Sequence, residues 1–163
     1  MDLEDLYALL DAEIARSSEY ERMKEARIEK LRIKLAAAKD DDEMTELTSS
    51  LVKEYEAFNA DSALYYVMLN LDRPYVRKRP ELHMSMLIRK ADVLAHAGLF
   101  TDALEIMQSI PRESLSDDQL EGYYATYCAT YQYLSEYTNE HETGRAYEQL
   151  RAQYSDSLEN VAQ

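Results

Sequence analysis

Three histidines (His83, His96 and His141) and a single cysteine (Cys128) are the side chains best suited to hold a metal or attack a carbonyl. Thirteen residues separate His83 from His96. That spacing puts them on different faces of one helix, so they cannot share an ion. His141-Glu142 begins like a zinc-protease motif, but Arg145 stands where the second histidine would have to be. A lone cysteine builds neither a thiolate zinc site nor a disulfide scaffold. The three glycines form no GxSxG elbow for a nucleophile, no phosphate-cradling loop and no GxGxxG turn for a dinucleotide. No catalytic centre, metal site or cofactor is therefore expected. The chemistry left to these residues is recognition.

Fourteen tyrosines are the compositional oddity. Tyr124, Tyr127 and Tyr131 repeat with Leu120 and Leu134 as one buried stripe, rings inward and hydroxyls at the margin. Tyr123, Tyr133 and Tyr137 lie off that stripe, on the side of solvent or a groove. Tyrosine-lined grooves suit peptides, because the ring gives contact area at low entropic cost. Charge is the second oddity. The 163-residue chain has a net charge of -14. From Arg16 to Lys39 there are eight Lys or Arg against four Glu, giving +4, which leaves -18 on the rest. The basic helix could dock on the acidic remainder, touch anionic lipid or be a solvated face, and the interleaved Glu residues favour the first and the last by diluting any single-sign field. An acidic chain of this kind is a poor partner for nucleic acid, and no contact with it is expected from this segment. No apolar run approaches the roughly 18 residues that cross a bilayer, and Met1 to Asp5 has no basic leader region, so no membrane insertion by this segment is expected.

The elements that would position these residues are helical throughout, since nothing alternates with period two for long enough to make a strand. Leu3, Leu6, Tyr7, Leu10 and Ile14 form a first stripe, and Ser18 with Glu21 reads as the cap of a second helix reaching Lys39. These two leading helices occupy residues 1–40. Asp40 to Asp42 opens the next helix. Asp61 or Ser62 caps another, and residues 72–80 read as a connector bracketed by prolines. A helix from about Glu81 is stopped by Gly98, Thr101 caps its successor, Ser114 to Asp118 opens a tyrosine-rich helix, and Thr143 or Gly144 opens the last. The fold class is all-α with about seven helices in one domain over residues 1–163, as hairpins at 43–72, 81–111 and 115–158.

Leu87, Ala91, Leu94, Gly98, Phe100, Ala103, Met107 and Ile110 have the register of a tetratricopeptide repeat. Small residues at Ala91 and Ala103 let two helices approach, Gly98 turns the chain, and Phe100 fills the gap. Ala63-Leu64 and Ala146-Tyr147 echo Ala103-Leu104 in the neighbouring hairpins. Stacked as a short right-handed solenoid, such hairpins present a concave face lined by the first helix of each. Ser85, Ile88, Asp92 and His96 should point into that groove, joined by Lys53, Glu56, Tyr124 and Cys128 from the neighbours. A peptide or protein partner is expected there. A plain helical bundle is the alternative architecture. Two copies could also pair through the first amphipathic stripes if these are not folded back, giving a homodimer.

Tyr20 to Leu35 (YERMKEARIEKLRIKL) resembles the basic leading helix of a bacterial domain-of-unknown-function family. Glu54 to Leu71 resembles its first repeat, with the core retained at Asp61 to Tyr66, and Ala91 to Leu104 fits its second hairpin. The likeness covers about Leu6 to Leu158. Members look like membrane-anchored regulators of transcription with a periplasmic tetratricopeptide-like region, a membrane helix and a cytoplasmic helix-turn-helix domain. The resemblance implies a ligand- or protein-sensing portion located in the periplasm, without the membrane span and DNA-binding domain. A cytoplasmic adaptor of the same fold is the alternative, and no functional residues are carried over.

Overall fold

The computed structural model describes residues 3–138 and 141–162, without the side chains of residues 141 and 142. Among them are eight α-helices and no strand: α1 (Leu3–Ala37), α2 (Asp41–Tyr55), α3 (Ala60–Asp72), α4 (Pro74–Arg77), α5 (Pro80–His96), α6 (Phe100–Ser109), α7 (Asp117–Tyr137) and α8 (His141–Val161). A single 3-10 turn, Arg112–Ser114, precedes α7.

The leading segment departs from expectation. Where Ser18 should cap a new helix, α1 runs unbroken for 35 residues. A serine costs a helix interior only about half a kcal/mol, whereas a cap there would sacrifice several backbone hydrogen bonds to gain one. The proline-bracketed connector also holds a short helix, α4, because Pro74 at its first position has φ already set and no N–H to lose.

Other boundaries follow local chemistry. Asp40 caps α2 by accepting from the Glu43 amide at 2.9 Å. Asn59, rather than Asp61 or Ser62, caps α3 through the Ser62 amide at 2.9 Å. Ser116 and Gln119 form a reciprocal capping box at the start of α7. Thr101 caps nothing, since α6 begins at Phe100 with no side-chain cap. Gly98 ends α5 at φ +81°, where the Leu99 amide reaches back to the Leu94 carbonyl at 2.9 Å and the Gly98 amide to that of Ala95 at 3.0 Å. This left-handed stop favours glycine because it has no Cβ to clash.

The helices pair as α2/α3, α5/α6 and α7/α8, stacked in a row, with α1 packed chiefly on α2. Each layer touches its neighbours along the row, as in a short solenoid. Two apolar clusters share α5. Val93 joins Val52, Ala63, Val67 and Leu71 on one side, while Ile88, Ala91, Leu94 and Ala95 join Ala103, Met107 and the tyrosines of α7 on the other. Ala63, Ala91 and Ala103 are fully buried, so small residues do set the spacing of the first two hairpins. The third is built differently. Ala146 is exposed, and α8 meets α7 through large residues, with Tyr154 stacked on Tyr127 at 4.2 Å and Tyr147 on Tyr131 at 6.2 Å. The α7/α8 core is thus a tyrosine ladder.

Candidate recognition groove

α5 supplies the centre of the site. Ser85, Arg89, Asp92 and His96 recur every three or four residues and so share one face. Ser85, Ile88, Arg89 and Asp92 line a depression of about 270 Å³, closed on the other side by Gly122, Ala125 and Thr126 of α7. At Gly122 a Cβ would meet only Ile88, at an ordinary contact distance of 3.7 Å, so the spacing here does not itself demand glycine.

Arg89 organises the polar side. It forms an ion pair with Glu56, just beyond α2, and another with Asp92 at 3.4 Å. The polar line then continues to His96, whose Nδ1 lies 2.8 Å from the Asp92 carbonyl oxygen and 3.6 Å from its carboxylate. Donation to a carbonyl requires the proton on Nδ1, which leaves Nε2 of the neutral ring as an acceptor. The Asp92 side chain is 23% exposed and that of His96 44%, so both stay within reach of solvent. Beyond His96 the groove turns aromatic. Tyr133 meets the imidazole edge-on at 5.6 Å, Phe100 stacks on Tyr133 at 6.1 Å, and Tyr137 leans on Phe100 at 5.7 Å.

The expected groove residues separate into three groups. Ser85, Asp92 and His96 lie along it, although the Ser85 hydroxyl already accepts from Gln119 at 2.7 Å and donates to the Glu81 carbonyl at 3.2 Å. Ile88 touches the same depression but is buried, so it forms the floor and not an accessible contact. Glu56 joins through Arg89, and Lys53 is exposed one helical turn before it. Tyr124 and Cys128 do not belong. Tyr124 is buried against Tyr123 and Tyr154, and the Cys128 thiol faces the Arg151 carbonyl of α8 at 3.7 Å. Burial also pushes that thiol's pKa up, which disfavours a reactive thiolate. Tyr123 is likewise buried, while Tyr133 and Tyr137 take the groove side. α7 is covered by α5 on one flank and α8 on another, so its buried arc is wider than one stripe.

Arg89, which links two hairpins, is the residue the spacing argument overlooked. The one local signal for it in the sequence is the opposite charge of Asp92 three residues on. Phe100 fills space as expected, but between α6 and α7. The assembled site offers a guanidinium, carboxylates, an imidazole acceptor and an aromatic wall. Among the described residues no group of three or more His, Cys, Asp or Glu could hold a metal ion, and no helix is long and apolar enough to cross a membrane.

Helix hairpins stacked in register, with a polar groove along their first helices, define a tetratricopeptide-type interaction domain. Residues 14–163 match the family model described as the SusR N-terminal TPR domain, and the chain belongs to that family. No curated protein and no solved structure matches it.

Proposed function

We propose that this chain is a non-catalytic, ligand- or protein-sensing module, the sensor portion of a membrane-anchored regulator of transcription, working on the periplasmic side of the inner membrane. The observation that carries the sensing role is the unbroken line from Glu56 through Arg89, Asp92 and His96 to Tyr133. It crosses three successive hairpins on one face. A partner lying in the groove would contact all three at once, and its binding would bias their relative packing. In a solenoid whose layers meet only their neighbours, this is how a local contact becomes a change of shape. Membership of a tetratricopeptide family supports a protein or peptide as the partner.

The test is a photo-crosslinking amino acid at His96, with Glu105 on α6 as the control position, in cells of the native host. A protein or peptide adduct formed at position 96 and absent at position 105 is the expected result. Equal labelling at both positions would show that the groove does not select the partner. A phosphatase fusion active only outside the cytoplasm reports the periplasmic placement. An inactive fusion would favour a cytoplasmic adaptor instead.

A further inference from the structure

The end of α2 faces two ways. Glu54 and Glu56 stand two residues apart on its last turn, and Glu56, at φ -55° and ψ -31°, still holds helical geometry. At about 100° per residue their side chains project about 200° apart, to opposite sides of the helix. Glu54 reaches α1, where it takes the Arg27 guanidinium bidentately at 3.1 and 3.3 Å. Glu56 reaches α5 and pairs with Arg89 in the groove. Two residues further on, Phe58 is 57% exposed and fills no core. It lies instead under α1, with Lys24 Nζ 4.0 Å above its ring, and it leans on Tyr55 at 5.6 Å. α1 has little else to hold it. It packs chiefly on α2, with Ile28 buried and Leu31 and Leu35 half-buried.

We infer that residues 54–58 are a rocker that couples the groove to the angle of α1: an occupant that draws Arg89 away from Glu56 loosens the grip of Glu54 and Phe58 on α1. The source of the signal rests on the groove reading, whereas the mechanical link does not. Glu56 Oε2 and Arg89 Nη2 face each other and are shut off from water. Without the guanidinium that oxygen is unpaired in a dry spot, and it regains a partner only by turning outward to solvent. Glu56 is also the cap residue of α2, where a helix frays most readily. Its release therefore frees the turn that carries Glu54. α1 then turns a small shift into a large one, because its outer half is exposed and clear of the stack. A tilt of about 10° at Arg27 carries Ala8, about 28 Å along the helix, through roughly 5 Å.

Electron–electron distance measurements on the full chain, in a C128A background, test the coupling. One spin label is placed at A8C on α1 and the other at E105C on α6, while a D61C/Q149C pair on α3 and α8 monitors the stack itself. R89Q and E56Q are each expected to shift the mean α1–α6 distance by about 3–5 Å or to double the width of its distribution, and E54Q to do the same. D92N breaks the other pair of Arg89 but leaves Glu56 in place, so the distance should stay at the wild-type value. The D61C/Q149C distance should not move in any of these variants. An α1–α6 distance in R89Q and E56Q identical to wild type would overturn the coupling. An equal shift in D92N would also overturn it, as would a matching change in the D61C/Q149C pair, since the whole stack would then have loosened. No partner adduct at position 96 alongside the R89Q shift would overturn the groove reading and leave the link to α1 standing.

Discussion

Gly98 and Tyr127 show two ways in which single residues commit the fold. At Gly98 a methyl group would meet nothing within 4 Å, so the only obstacle to a side chain is φ +81°. Gly98→Ala is expected to cost about 1–2 kcal/mol in urea unfolding, and Gly98→Asn less, since asparagine tolerates the left-handed region. An equal loss from both would mean that space, not backbone angle, is the constraint. Tyr127, Tyr131 and Tyr154 lie in the ladder between α7 and α8, and burial raises all three phenol pKa values above the ordinary 10.0, Tyr127 most of all. These groups bind their protons more tightly folded than unfolded. Their contribution is complete below pH 10 and is lost as pH climbs through the folded values, so stability must fall on the alkaline side. Phenolate absorbance is expected to rise in two stages, exposed tyrosines first and the ladder only as helical signal is lost. Tyr127→Phe should make the alkaline fall shallower. Full ionisation of all fourteen with helicity intact would contradict this.

At the scale of elements, α1 has two unlike halves. Its inner half belongs to the repeat stack, through Ile28 and the bidentate pair of Arg27 with Glu54 at 3.1 and 3.3 Å. This pair realises the docking of the basic helix on the acidic body, although Arg16 and Arg32 make their pairs within α1 itself. The outer half adds nothing to the core. Ser17→Pro, which breaks a helix interior, is therefore expected to lower far-UV helicity by roughly the length of the overhang. The unfolding free energy of the remainder should move by no more than about 0.5 kcal/mol. A large loss would show that the overhang is coupled to the stack after all.

For the whole molecule, Arg89 is the polar link between the end of α2 and α5 along the groove. Both members of the Arg89–Glu56 pair are about a third exposed, at 28% and 32%, and solvent screening limits what the contact adds. A double-mutant cycle with Arg89→Gln and Glu56→Gln is expected to give a coupling of about 1 kcal/mol or less in stability. Arg89→Gln should nevertheless abolish partner crosslinking from position 96, because the guanidinium holds the charged line across the hairpins. Retained crosslinking in that variant would assign recognition to the aromatic end alone.

Much of this architecture was legible in the sequence because its signals are local. Helical periodicity, the Asp40 and Ser116 starts, the Gly98 stop and the small pair Ala91 and Ala103 depend on residues within a few turns of one another. One face of one helix was enough to place Ser85, Asp92 and His96 together. What the tertiary structure decided depends on which helix lies across which. α7 is covered on two flanks, so Tyr123 and Tyr124 are buried together and Cys128 turns to α8. α5 reaches the end of α2 through Arg89, a link no single-helix pattern contains. And α2 is short, so the same apolar stripe of α1 is interior in one half and open surface in the other. Periodicity reports that a face is apolar, but only the packed neighbours determine whether anything covers it.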